Sequence, residues 1–267
     1  MADAAPPAHS RAVRAARRVG DGLLAVLLAP ACACCARLLD APSAGPVCPA
    51  CWAAIHLITP PVCDACGDPL PSWRAISRGA ARCPRCRRTP RAVDRGRAIG
   101  EYAGALRQIV HALKYDGRRS VSRPLSAMMR AQGHAVLEGA DCVVPVPLHP
   151  RRRRQRGFNQ AADLAAGLGL PVWPVLRRVR ATPSQVDLPA AQRHRNVRNA
   201  FQIAAPSRFR IRHADAREIS LDGLCVVLVD DVSTTGATLE ACARALKAAG
   251  VREVRALTAA RVVCRRP

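Results

Sequence analysis

Two groups of residues in this 267-residue chain have the types and spacing for chemistry. The first is a run of cysteines. Four CxxC pairs occur between Cys32 and Cys86: Cys32/Cys35, Cys48/Cys51, Cys63/Cys66 and Cys83/Cys86. Twelve residues separate the first two pairs and sixteen the last two. A CxxC knuckle points two thiolates at one ion, and a second knuckle completes a tetrahedron, so each pair of pairs suits a zinc ribbon. Four thiolates close the coordination sphere, which makes two structural zinc ions the expectation. Pro49, Pro84 and Gly67 suit tight knuckle turns. Redox dithiols or disulfides are the alternatives, and a redox CxxC usually comes singly. Cys34 could take the place of Cys32 or Cys35.

The second group is VVLVDDVSTTGATLE, residues 226–240. Val226 to Val229 read as a buried strand, with Asp230 and Asp231 emerging at its C-terminal edge. Ser233, Thr234, Thr235, Gly236, Ala237 and Thr238 then turn into a helix. Amides and hydroxyls at a helix N-terminus cradle an anion, and Gly236 lets backbone approach a phosphate. Two carboxylates beside such a cradle suit a ligand that also carries a diol, since carboxylates accept hydroxyl hydrogen bonds. Phosphate beside a cis-diol describes a ribose 5-phosphate. A plain strand–turn–helix with a Ser/Thr cap would not require both acids.

Composition adds a third pointer. Lys and Arg total 42 against 19 Asp and Glu, a formal net charge of +23. Only Lys114 and Lys247 are lysines. A chain that has replaced nearly every Lys by Arg keeps one where the compact ammonium matters. The scarce Tyr115 sits beside Lys114; Asn159 lies in RGFNQ, and Asn196 and Asn199 in RNVRNAF. These segments are enriched for function, and Lys114 is counted with the ligand-binding residues. Lys247 reads as a residue on an exposed helix face. The positive field attracts polyanions non-specifically.

These residues need elements to hold them. The 49% apolar fraction is ample for a core. Residues 1–31 read as a basic tail and short amphipathic helix, although Arg11–Arg18 followed by Leu23–Ala29 also has the outline of a signal peptide. The longest uncharged apolar run, Gly22 to Ala36, contains Pro30 and is too short for a membrane span. Residues 32–86 form the double ribbon, and 87–100 read as a basic connector. From there to residue 267 helices and strands alternate. The helices are read at Gly104–Lys114, Ser122–Ala131, Phe158–Leu168 and Thr238–Ala249, and the strands at Asp141–Val146, Leu224–Val229 and Val254–Leu257. That order predicts an α/β fold, a parallel sheet flanked by helices with ligands at the strand C-termini. Residues 204–222 read as an exposed loop.

Residues 226–240 closely resemble the 5-phosphoribosyl-1-pyrophosphate (PRPP) motif of type I phosphoribosyltransferases. LKYDGRR (113–119), VPVPLHPRRRRQRGFNQ (144–160) and TPSQVDLPAAQRHRNVRNAF (182–201), preceded by a double zinc ribbon, are similar to the ComF family of competence-associated phosphoribosyltransferase-like proteins. The resemblance covers about residues 20 to 264. It implies a small N-terminal double zinc ribbon followed by a type I phosphoribosyltransferase-like domain. It also implies that Asp230 and Asp231 bind the ribose hydroxyls and Thr234 to Thr238 the 5-phosphate. Val144 to His149 match the pyrophosphate loop, with Arg151 to Arg156 supplying cations. Residues 182 to 201 match a mobile loop whose His194, Arg195 and Arg198 would stabilise the leaving pyrophosphate. Magnesium would be held mainly by ligand oxygens. The implied function is a PRPP-binding phosphoribosyltransferase without an identifiable acceptor, cytoplasmic and linked to competence, DNA uptake or nucleotide metabolism. The alternatives are a non-catalytic PRPP- or single-stranded-DNA-binding accessory and a structural zinc adaptor. Eight aromatic residues leave few stacking platforms for single strands.

Overall fold

The computed structural model describes residues 8–72, 81–180, 200–204 and 220–263. Its centre is a four-stranded parallel sheet in the order β1-β6-β5-β2, built from β1 (Arg95–Glu101), β2 (Cys142–Pro145), β5 (Cys225–Ser233) and β6 (Glu253–Arg261). A short antiparallel pair, β3 (Leu176–Arg178) with β4 (Phe201–Ile203), lies outside it. The core strands are continuous apolar runs because both faces are covered.

On one face, Val227, Val229, Leu257 and Val143 pack with four helices. These are α4 (Gly104–Tyr115), α5 (Ser122–Gln132), α6 (His134–Leu137) and α8 (Gln160–Ala165), which contribute Leu106, Ile109, Leu113, Leu125, Met129, Val136 and Leu164. On the other, Val226, Leu228, Val254 and Ala256 pack with Leu239, Cys242 and Leu246 of α9 (Ala237–Lys247) and with Leu176 and Phe201. Alternation along a strand sends successive side chains to opposite faces, so the two clusters take alternate residues of β5.

Three expectations shift and one further element emerges. The connector read at 87–100 contains β1, whose glycines and arginines hid a strand that pairs with β6 from Arg95 to Glu101. β5 runs four residues past Val229, because Val232 and Ser233 continue the ladder to Ala260 and Arg261. The arginine-rich stretch after residue 149 is a helix, α7 (Pro150–Arg156). The N-terminal helix, α1 (Ala8–Leu28), is longer than a short lead-in.

The two ribbons attach differently. In the first, α2 (Pro49–Ala53) carries Cys51, and Cys32, Leu39, Val47, Cys51 and Ile55 join the same apolar cluster as Leu106 and Ile109 of α4. Its exit segment bridges to the sheet edge: the Ile58 amide donates to the Ile99 carbonyl at 2.9 Å and that of Glu101 to the His56 carbonyl at 2.9 Å. In the second, α3 (Pro84–Arg88) carries Cys86, and Cys63, Ala65, Leu70, Cys83 and Cys86 form a small cluster of their own. This ribbon meets β1 backbone to backbone. A Cβ at Gly96 would lie 3.1 Å from the Ala65 carbonyl oxygen, and one at Gly67, whose φ is +74°, 3.0 Å from that of Gly96.

Candidate functional site

Each cysteine tetrad gathers its Sγ atoms within 4.8 Å of one another: Cys32, Cys35, Cys48 and Cys51, then Cys63, Cys66, Cys83 and Cys86. A tetrahedron with Zn–S of about 2.3 Å has S–S edges of about 3.8 Å. The Cys32–Cys51, Cys35–Cys48 and Cys66–Cys83 separations are 3.9, 3.8 and 3.8 Å. Both sets therefore fit structural zinc. Backbone amides of Cys34 and Cys48 donate to the Cys32 sulfur, and that of Cys83 to the Cys63 sulfur, as suits thiolate acceptors. Cys34 stands outside the tetrad, its thiol 3.9 Å from the Ala105 carbonyl oxygen. The described cysteines are free, so disulfides are not formed there.

The strand–turn–helix of residues 226–240 supplies the second site. The two acids do not emerge on one edge, since both lie within β5 and alternate. Asp231 points toward α4, where Lys114 in the last turn places Nζ 2.7 Å from Asp231 Oδ1. These side chains are 16% and 5% exposed. Burial alone would depress the Lys114 ammonium, but the Asp231 carboxylate and its hydrogen bond outweigh this and push its pKa up. Asp231 Oδ2 is buried with no hydrogen-bond partner among the described residues.

Asp230 feels charges on both faces of the sheet. Desolvation, then the adjacent Asp231, raises its pKa to about 7 against the pull of Lys114, the Asp231 amide and Arg178. That amide donates to Asp230 Oδ1 at 2.9 Å. Arg178, at the end of β3, lies over the Phe201 ring at 5.4 Å. Burial, then Arg152, pushes its pKa down.

Beyond β5 the chain turns at Gly236, whose φ of +77° makes it the N-cap of α9. A side chain there would be strained. The Ala237 amide donates to Thr235 Oγ1 at 3.4 Å, and the first amides of a helix have no partner within it, so this end of α9 is rich in donors. Ser233 thus ends β5, Thr234, Thr235 and Gly236 make the turn, and Ala237 and Thr238 open α9.

The loop after β2 starts beside β5, where the Val146 amide donates to the Val229 carbonyl at 2.9 Å. Asn159 caps α8 through Ala161, and its amide donates to the Val146 carbonyl at 3.1 Å, which ties Val144–His149 in place. His149 caps α7, its Nδ1 accepting from the Arg151 amide. Arg156 stacks over Tyr115 at 5.3 Å, joining α7 to the helix that carries Lys114. His194, Arg195 and Arg198 lie outside the described residues, as do Asn196, Asn199 and most of the 204–222 loop.

Lys247 is not the free surface residue expected. Its Nζ lies 2.7 Å from Asp94 Oδ2 and donates to the Arg252 carbonyl at 2.6 Å. Sequence reasoning also missed Arg85, Arg178, Glu240 and Arg261. In a chain with 42 Lys and Arg, no single arginine stands out.

A parallel sheet with this strand–turn–helix, preceded by two cysteine tetrads, defines a phosphoribosyltransferase-type domain joined to a double zinc ribbon. Residues 154–267 match the phosphoribosyl transferase domain family, and residues 23–87 the double zinc ribbon domain family. The chain is 33% identical to the DNA utilization protein YhgH of Salmonella typhimurium over 69% of its own length and 77% of the relative's. It is 30% identical to competence protein F of Haemophilus influenzae over 73% and 82% of the two chains. It is 26% identical to competence protein ComFC of Bacillus subtilis over 75% and 77%. The chain belongs to the ComF family. Among the described residues no helix is long and apolar enough to cross a membrane.

Proposed function

We propose that the protein binds PRPP at the C-terminal end of β5 and transfers its phosphoribosyl group in the cytoplasm to an acceptor the sequence does not identify. One observation carries this reading. Asp231 is held by Lys114 through one oxygen while the other is a buried acceptor with no partner among the described residues, two residues before a turn built to take an anion. A ribose hydroxyl answers the first feature and a 5-phosphate the second. We take residues 32–86 as the ribbon domain and 87–267 as the phosphoribosyltransferase-like domain, after a basic tail at 1–31.

Each group then has a task. Asp231 and Asp230 accept hydrogen bonds from the ribose hydroxyls. Asp230, its pKa raised to about 7, does so in its carboxylate form. The amides and hydroxyls from Ser233 to Thr238 take the 5-phosphate. The loop Val144–His149, with the cations of α7, faces the pyrophosphate, and His194, Arg195 and Arg198 stabilise its charge. Magnesium, held mainly by ligand oxygens, would neutralise charge on the leaving group. As the C1–O bond breaks, positive charge grows on the sugar and negative charge on pyrophosphate, and fixed cations stabilise the latter. The acceptor's lone pair forms the new bond to C1.

Calorimetry with PRPP and magnesium tests binding: saturable binding by the whole chain, lost in Asp231→Asn, is the expected result, and no heat at millimolar PRPP ends the reading. Pyrophosphate release against a panel of amines and bases tests turnover. A second reading, single-stranded DNA binding, is favoured by the net charge of +23 and by the DNA-utilization and competence names of the relatives. Such binding would weaken steeply with salt and survive loss of both acids.

A further inference from the structure

The seam between the second ribbon and the strand–turn–helix is made of polar contacts, and all of them end near the turn. Arg85 lies between the metal ligands Cys83 and Cys86 and donates to the Thr235 carbonyl oxygen at 3.0 Å. Arg261, the last residue of β6 and nearly fully buried, pairs with Asp68 of the ribbon and donates to Ser233 Oγ at 3.2 Å. Glu240, in the first turn of α9, accepts from the Ala92 and Val93 amides at 3.0 to 3.1 Å, in the segment that leaves the ribbon. Three tethers thus reach the strand end, the turn and the helix start. A small cleft runs along the seam, lined by Ala65, Cys66, Arg85, Val93, Leu239 and Thr258 among others.

We propose that the second ribbon is a positioning element for the turn, so that metal held by Cys63, Cys66, Cys83 and Cys86 sets the affinity of Ser233–Gly236 for a phosphate group. The identity of that ligand rests on the PRPP reading; the mechanical coupling does not. The Thr235 carbonyl and the Gly236 amide belong to one planar peptide, whose C=O and N–H point in opposite directions. A guanidinium on the carbonyl polarises the peptide and makes the N–H on its far side a stronger donor. Arg85 can do this only while its short helix is fixed, and that helix is fixed by the thiolates on either side of Arg85, Cys83 at its N-cap and Cys86 within it. Four thiolates on a dication leave two net negative charges beside Arg261, which lies close to Cys66 and Cys86. Without the metal-bound ribbon, Arg261 would be a buried cation that has lost Asp68 and the thiolates, and its hold on Ser233 would go with them.

The test uses the full chain and three variants: Arg85→Ala, Arg85→Lys and, as a charge-matched control on the same helix, Arg88→Ala. Zinc content, PRPP–magnesium affinity and hydrogen exchange of amides 235–238 are measured for each. Arg85→Ala should keep two zinc ions, bind PRPP about tenfold more weakly and exchange those amides several-fold faster. Arg85→Lys, which keeps a charged donor, should recover most of both, and Arg88→Ala should change neither. An Arg88→Ala loss as large as that of Arg85→Ala would reduce the effect to the general field and overturn the proposal. If the wild-type chain binds no PRPP, the ligand reading falls by itself. The exchange measurement then decides the coupling: faster exchange in Arg85→Ala supports it, and unchanged exchange overturns it.

Discussion

The two zinc ribbons have the same ligands and nearly the same spacing, yet they join the phosphoribosyltransferase-type domain by opposite means. The first is fused into the main apolar core, with Cys51 and Ile55 packed in the cluster that holds Leu106 and Ile109 of α4. The second keeps a separate cluster and reaches its neighbour through arginines and one buried glutamate. The first packs on α4, which carries Lys114 in its last turn; the second reaches the turn at Gly236 through Arg85 and the Thr235 carbonyl. Apolar burial contributes stability without direction, whereas hydrogen bonds and ion pairs contribute position.

The largest expected effect breaks the first ribbon. Cys51→Ser removes a ligand of its zinc and disturbs the core of the whole molecule. Structural zinc contributes roughly 10 kcal/mol or more of folding free energy in small domains. The variant should retain one zinc ion and melt more than ten degrees lower, or fail to accumulate in soluble form. Cys86→Ser should also retain one zinc ion, but its melting temperature should fall much less while PRPP affinity falls clearly. Equal thermal losses in the two variants would erase the difference between the ribbons. Elemental analysis and calorimetry read both.

The next effect sharpens the Lys114 side. Lys114→Met leaves Asp231 buried without its cation, a change that costs about 3–5 kcal/mol when a buried pair is broken on one side. A melting temperature lowered by several degrees and loss of PRPP binding are expected. Lys114→Arg keeps the charge but not the compact ammonium, and should fall between Lys114→Met and wild type on both measures.

Asp230 gives the pH dependence. Its folded-state pKa of about 7 is raised above the ordinary value of 3.8. The folded protein therefore binds this proton more tightly than the unfolded chain does. Stability from this group is fully present below about pH 4 and is lost as pH rises through 7. Asp230→Asn removes that loss. The variant should melt a few degrees above wild type at pH 8 in the absence of ligand, with the gap shrinking toward pH 5, while PRPP affinity drops. A gap that does not change with pH would mean that Asp230 is not desolvated in solution.

How much of this was legible in the sequence depends on the kind of signal. The tetrads were legible because cysteine spacing is fixed by metal geometry, and only Cys34 needed coordinates to exclude. The turn at Gly236 was legible because a strand, two acids and a Gly-centred cap sit within fifteen consecutive residues. β1 was not, since RGRAIGE offers no apolar run: its glycines are there to let the ribbon backbone approach. Nor were Arg85 and Arg261, whose partners lie 150 and 193 residues away in the chain. The extent of β5 also escaped, because Asp230 and Asp231 look like the end of a strand while the ladder to β6 carries on to Ser233.

The smallest expected effect concerns the other surviving lysine. Lys247 and Lys114 are alike in composition terms, and both end 2.7 Å from a carboxylate oxygen. Their surroundings differ. Lys247 and Asp94 are 32% and 41% exposed, so water screens the pair, and such pairs are worth about 0–1 kcal/mol. Asp94 Oδ2 also accepts the Val254 amide at 2.8 Å, so it stays bonded whatever happens to the lysine. A guanidinium at 247 has room to reach Asp94 or the Arg252 carbonyl from solvent. Lys247→Arg should therefore leave PRPP affinity unchanged and move the melting temperature by less than about two degrees. A shift as large as that of Lys114→Arg would mean that shortage of lysine, rather than burial of its partner, marks the residues this fold depends on.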